Sequence, residues 1–272
     1  NINVEDLVKR LTAQTDEIER KAQDAAEGVL TVSGKALYQA VHLADIQFDD
    51  VNYTIKNNAL QMQAVDPSHT SMLQLRVGDG DIEDIHSTSD SMMGVRKLKD
   101  ISKESKKHNK KHTDMITITE NEEKLMIATP FGVRTVTSFK GQKPPKLPEL
   151  EPKFVYEADY TDLSSALKAC NMVGDLFTMK GIEDKELELS VQGSTDSVKA
   201  TVGGTHLKSS PNPIISHYSG HYMKLFQRIP KDFSVKVSFS DNYPLTVEFE
   251  GVIADTPVKG VFLLAPRVDP GE

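Results

Sequence analysis

The span GQKPPKLPELEPK, residues 141–153, carries Pro144, Pro145, Pro148 and Pro152, and no other stretch limits the fold so strongly. Each proline fixes φ and removes a backbone donor, so the span is an extended connector that neither a helix nor an interior strand can cross. The same order of parts stands on either side of it. Before it come VLTVS from Val29 and a helix from Lys35 to Phe48, with Leu37, Val41, Ala44 and Phe48 on one face. ALQMQAVD, SMLQLRV, MITITE, KLMIAT and VRTVTSF follow, with the partial alternation of half-buried antiparallel strands, interrupted by a basic helical segment from Val95. After it come FVYEAD, a helix from Asp162 to Met172, the strands LFTMKG, ELELSVQG and SVKATVGG, a helix from Tyr218 to Gln227, and SVKVSFS, LTVEFEG and VFLLAP. Two similarly ordered halves predict a duplicated α+β domain, although no residue-level repeat is visible. The expected division is a helical extension over 1–28, a first domain over 29–139, a connecting loop over 140–153 and a second domain over 154–272.

The extension reads as a helix from Asn3 to Glu27, capped by Asn3 and stopped at Gly28, with Leu7, Leu11, Ile18, Ala22 and Ala25 at helical spacing. Its many charges and few large apolar side chains describe a solvated or weakly docked helix.

The formal net charge of -8 argues against a protein that coats nucleic acid by bulk attraction. The charge is segregated, however. From Val95 to His112, Arg96 and seven lysines face only Asp100 and Glu104, a local balance of +6 that leaves -14 for the rest of the chain. On a helix Lys99, Lys103, Lys106, Lys107 and Lys110 fall at i, i+4, i+7, i+8 and i+11, which is one face. Without further context such a run reads as a solvated charge cluster.

Cys170 is the one cysteine, in ALKACNMVG, so no intrachain disulfide forms and a reducing cytosolic or nuclear compartment is the expectation. No apolar run approaches the roughly 20 residues that span a bilayer, and the given sequence opens without a charged-then-apolar leader. The expectation is a protein of the cell interior with no membrane contact. Asp66, His69 and Cys170 suggest hydrolytic chemistry only superficially. No nucleophile motif, glycine-rich phosphate loop or metal-ligand spacing accompanies them, so no catalytic or metal residue and no cofactor is predicted.

Three stretches carry a family resemblance. NNALQMQAVDPSHTSMLQLRV (57–77) resembles a strand, turn and strand around a D-P-S-H signature. LPEL falls in the proline-rich stretch, and SDNYPLTVEFEG with FLLAPRV resembles a C-terminal P-L…L-A-P-R-V ending. Over Val29 to Asp269 the chain resembles DNA sliding clamps of the proliferating cell nuclear antigen (PCNA) type. The resemblance implies a non-enzymatic processivity factor: a homotrimeric ring around duplex DNA, with helices lining the hole and antiparallel sheets outside. The sequence departs from the family in the residues before the first strand and in a longer, more lysine-rich basic helix.

By resemblance, the hole side would carry Arg96, Lys97, Lys99, Lys103, Lys106, Lys107, Lys110, Lys168, Lys224 and Arg228, with His217 and His221 as lesser candidates. Partners, among them DNA polymerase, a clamp loader and other proteins with PCNA-interacting peptides, would dock in a pocket of Val65, Ser68, His69, Leu147, Leu150, Pro244, Ala265 and Pro266. Subunits would join through VRTVTSF (Val133, Thr135, Thr137) and SVKATVGG (Val198, Ala200, Val202) of a neighbour. A non-encircling monomeric or dimeric processivity factor and one member of a heterotrimeric clamp are the alternatives.

Overall fold

The computed structural model describes residues 28–80, 91–107, 115–121, 124–129 and 132–267. The expected helix of residues 3–27 and Lys110 lie outside the described residues.

Helix α1 (Gly34–Ala44) begins where the Ser33 hydroxyl accepts from the Lys35 amide at 3.2 Å. It buries Leu37, Ala40, Val41 and Ala44. It ends four residues short of the expected Phe48, which is buried beyond it. Helix α3 (Tyr160–Asn171) is capped by Asp159, which accepts from the Asp162 amide at 3.0 Å, and buries Leu163, Ala166, Leu167 and Cys170. Helix α2 (Val95–Lys107) turns Val95 and Leu98 inward. The helix expected from Tyr218 is a correction: Tyr218 is fully buried on a strand, and a 3-10 helix runs only from Gly220 to Arg228.

The strands of the first half are β1 (Val29–Ser33), β2 (Asp50–Lys56), β3 (Ala59–Val65), β4 (Ser71–Gly78), β5 (Ser91–Gly94), β6 (Met115–Asn121), β7 (Lys124–Thr129), β8 (Gly132–Thr137) and β9 (Phe139–Lys140). Those of the second are β10 (Phe154–Ala158), β11 (Leu176–Gly181), β12 (Leu187–Gln192), β13 (Ser197–Val202), β14 (Gly204–Lys208), β15 (Ile214–Ser219), β16 (Ser234–Phe239), β17 (Leu245–Ile253) and β18 (Thr256–Leu264). All the pairings are antiparallel, and tight turns set several registers. Asn57 and Asn58 join β2 to β3 with φ of 49° and 57°, the two positive values that a type I′ hairpin turn requires.

The order of strands reveals a repeat that the residues conceal. The first half contains β1-β6-β7-β8 and β4-β3-β2-β5; the second contains β10-β16-β17-β18 and β13-β12-β11-β15 in the same arrangement. The halves then fuse: β18 pairs with β4 from Val258↔Val77 to Leu264↔Ser71, producing the ten-stranded sheet β14-β10-β16-β17-β18-β4-β3-β2-β5-β9. One face of this sheet buries Tyr53, Met62, Leu73, Leu75, Val247, Phe249 and Phe262. Helix α1 packs against β4, β17, β18 and the 3-10 helix. Phe226 of that helix meets Phe262 edge-on, with ring centroids 5.1 Å apart.

The connector crosses the opposite face. From β9 at one end of the sheet to β10 near the other is eight strand spacings, about 38 Å at roughly 4.8 Å each. Fourteen residue steps, from Lys140 to Phe154, reach about 46 Å at roughly 3.3 Å each. The chain therefore has to run nearly straight there, as its prolines dictate.

Phe262 sits where both halves and the 3-10 helix meet. Phe262→Ala is expected to cost about 3–5 kcal/mol, read as a lower midpoint in a urea unfolding titration.

Candidate nucleic-acid interface and partner groove

The helices form one layer. Helix α2 packs on α1, α1 touches the 3-10 helix, and the 3-10 helix packs on α3. The Gln39 amide donates to the Arg228 carbonyl at 2.8 Å, tying the helices of the two halves together. Lys168, Lys224 and Arg228 are exposed around one depression of about 510 Å³, with His42, Ile46, Asn171, Met172 and Gln227. Met172 is 87% exposed at its rim.

Arg96, Lys97 and Lys103 are exposed on α2. Lys99, expected in the same stripe, is half-buried and forms an ion pair with Asp45 at the end of α1, so part of its charge is answered within the chain. Lys106 and Lys107 lie in α2, but their side chains fall outside the described residues. His217 is not on a helix: it sits on β15, with Nδ1 3.0 Å from the Thr178 hydroxyl, and its carbonyl accepts from the Arg267 amide at 2.8 Å. His221 opens the 3-10 helix, and its backbone amide donates to Asp175 at 2.6 Å. His42, which periodicity alone assigned to no role, joins the basic depression because α1 ends there.

The signature turn is built around Asp66. Its carboxylate accepts from the amides and hydroxyls of both Ser68 and Ser71. Burial would raise this carboxyl, but those four hydrogen bonds outweigh it and hold the group below the usual aspartate range. Such a carboxylate is structural, with its lone pairs occupied. His69, at φ 56°, is exposed at the turn apex, while Cys170 is fully buried and burial pushes its thiol up. Nothing brings the three together as a triad.

Hydrogen bonds tie down the segments that carry the expected groove residues. The Ala265 amide donates to the Thr70 carbonyl at 2.8 Å, which lays the C-terminal segment with Pro266 beside the turn. The connector is tied at its start by Asn52 to the Gln142 carbonyl (3.0 Å) and Gln63 to the Pro145 carbonyl (2.7 Å). At its end the Glu151 amide donates to the Tyr243 hydroxyl (2.9 Å) and the Lys153 amide to the Ser240 hydroxyl (2.8 Å). Leu147 and Leu150 are half-buried between these ties, as are Val65, Pro244, Ala265 and Pro266, whereas Ser68 is exposed. Val65 and His69 also border a cleft of about 310 Å³ against Gln142 to Pro145, which does not include Leu147, Leu150 or Pro244. Tyr222, which approaches Ser68 and Asp66 at 3.5 Å, and Tyr243 were not read as groove residues. Only the position of Tyr243 before Pro244 signals it in the sequence.

Strands β8 and β13 are the edges of the two four-stranded sheets. Val133 is 63% exposed, and Thr135 and Thr137 are exposed as well. On β13 Val198 and Ala200 are half-buried against the core and Val202 is fully buried, so that strand offers its backbone and Ser197, Lys199 and Thr201 instead.

Because Asp66 titrates lower when folded, its contribution is present above about pH 4 and is lost as pH falls through the folded value. Asp66→Asn should therefore be less stable than the parent at pH 7, with the gap in unfolding midpoint closing towards pH 2; a gap that stays constant across that range would contradict the assignment.

Known proteins agree with this architecture. Residues 35–136 match the family "Proliferating cell nuclear antigen, N-terminal domain". The DNA polymerase sliding clamp of Methanothrix thermoacetophila is 24% identical over 245 residues, covering 88% of this chain and 97% of that protein. The A. fulgidus PCNA, solved with the C-terminal region of FEN-1 bound, superposes with a TM-score of 0.71 at 19% identity, covering 89% of this chain and 99% of that one. A PCNA2-PCNA3 complex from Sulfolobus tokodaii gives a TM-score of 0.68 at 16% identity, covering 89% and 100%. Over nearly its whole length the chain is thus similar to PCNA-type DNA sliding clamps, with residues 35–136 matching the N-terminal domain of that family.

Proposed function

We propose that this chain is a ring subunit that encircles duplex DNA and tethers other DNA enzymes to it, a processivity factor rather than a catalyst. One observation carries the reading. Within the chain, β18 and β4 join the halves, and their counterparts in the repeat, β8 and β13, are left as edges. A second copy offering β13 to β8 repeats the internal joint, and a head-to-tail contact of this kind generates a ring when its rotation closes. Residues 29–139 and 154–272 are then the two clamp domains, linked by 140–153, and three copies make the ring.

The helical layer faces the hole. Arg96, Lys97, Lys103, Lys168, Lys224 and Arg228 supply attraction to phosphates without reading bases, and the ring topology supplies retention. Lys106, Lys107 and Lys110 continue the basic run in the sequence. The groove between the signature turn, Leu147, Leu150, Pro244 and the Ala265–Pro266 segment takes partner peptides. The A. fulgidus structure, with a C-terminal region of FEN-1 bound, supports a peptide as the occupant. Polymerase and clamp loader are expected among the partners, inside the cell with the DNA. The Sulfolobus tokodaii complex of two different chains supports a second reading, in which this chain closes a mixed ring.

Light scattering tests the assembly: a solution mass near three times 30.1 kDa is the expected result, and a single-copy mass at micromolar concentration would overturn the homotrimer. Replacing Lys103, Lys168, Lys224 and Arg228 by alanine should leave that mass unchanged while weakening DNA binding. The slope of log K against log salt should fall by up to about 3–4, at about 0.9 for each lost phosphate contact. Leu147→Ala with Leu150→Ala should abolish stimulation of a polymerase without changing the mass; undiminished stimulation would remove the connector from the groove.

A further inference from the structure

We propose a specific residue register for the joint between copies of this chain: Thr135 opposite Thr201 of the next copy, Val136 opposite Ala200, and Thr137 opposite Lys199. This rests on the reading of β8 and β13 as the joining edges, and the internal repeat supplies the rest.

Equivalent residues follow from the pairings on each side. Thr129 pairs with Gly132, two residues of sequence between them, as Ile253 pairs with Thr256, so Gly132 stands for Thr256 and Thr135 for Lys259. On the other edge, Gly94 precedes α2 as Ser219 precedes the 3-10 helix. Their partners Asp50 and Leu176 therefore correspond, and so do Tyr53 and Met179. Tyr53 pairs with Met62 and Met179 with Leu189; Met62 pairs with Leu75 and Leu189 with Ala200. Leu75 thus stands for Ala200, and Arg76 for Thr201. Facing directions agree throughout, since Met62, Leu75, Leu189 and Val136 are all buried. The internal joint pairs Lys259 with Arg76, Gly260 with Leu75 and Val261 with Gln74, and substitution gives the register between copies.

The register also exposes a difference in strength. On the core side the internal joint brings Val258, Gly260 and Phe262 against Val77, Leu75 and Leu73. Between copies the corresponding residues are Arg134, Val136 and Ser138 against Val202, Ala200 and Val198. A phenylalanine and two leucines are replaced by a serine, an alanine and a valine, and a guanidinium takes the place of a valine, which together outweigh the one gain, Val136 in the place of Gly260. Less apolar surface is shared, so copies part on dilution while the two halves of each copy stay joined.

Thr135→Cys with Thr201→Cys, both exposed positions, tests the register in the full chain, because only directly opposed residues approach the Cβ separation of about 3.5–4.5 Å that a disulfide needs. Native Cys170 is buried and stays out of the reaction. Oxidation is expected to give covalent multimers up to the copy number found by light scattering, at least tenfold more than Thr135→Cys with Lys199→Cys. A second matched pair, Thr137→Cys with Lys199→Cys, should behave like the first. If the protein assembles but the mismatched pair cross-links best, or no pair does, the register is overturned and the ring reading stands. A single-copy mass at all concentrations, with no cross-link, overturns both. The parent mass should fall towards one copy on dilution to nanomolar concentration, whereas the oxidised matched pair holds its mass; a parent mass constant across that range would overturn the weaker joint.

Discussion

The antiparallel pairing of β18 with β4 is the contact on which the rest of the molecule depends. It turns two separate half-sheets into one continuous ladder, satisfying backbone groups that each half would otherwise leave at an edge. It also merges two cores into one, since Phe262 and Leu73 meet beneath it and the 3-10 helix closes over them through Phe226. With the sheet continuous, the helices of both halves are forced onto one face and the connector onto the other. The division between a basic helical layer and a connector-bearing opposite face is therefore a consequence of sheet continuity.

The two faces handle charge differently. On the outer face of the large sheet, Lys236 pairs with Glu248 and Lys259 with Glu250, each at 2.7 Å across neighbouring strands. The hydrogen bond and charge of Lys259 hold Glu250 below the usual glutamate range. Exposed pairs of this kind contribute little to stability; their effect is to leave the exterior wetted and without a net attraction for phosphate. On the helical layer Lys168, Lys224 and Arg228 cluster around one depression. An acidic chain can thus present a basic surface where its helices gather.

Strands with one wet face were legible in the sequence, because polar and apolar residues alternate along them. Strand β2 was not: Val51, Asn52, Tyr53, Thr54 and Ile55 are all buried, with Asn52 bonded to the connector, so the outward residues no longer mark a solvent face. Tyr218 was assigned to a helix because its spacing fits one, yet it belongs to β15 and sends its hydroxyl to the Tyr243 carbonyl at 2.7 Å. Among the site residues, the lysines of α2 were visible as a run, but the pairing of Lys99 with Asp45 depends on how α1 lies against α2. The signature turn announced itself by D-P-S-H, whereas the approach of Tyr222 to it is made across 156 residues of sequence and leaves no local trace.

The connector works as a ruler. Its reach exceeds the span it covers by only about 8 Å over fourteen steps, so removing three residues would consume all the slack and draw the two ends of the sheet together. Its composition is free to vary where side chains point outward, but its length is set by the number of strands beneath it. A segment held so close to its limit has few conformations left to lose, and Leu147 and Leu150 are carried on a stretch already drawn into place.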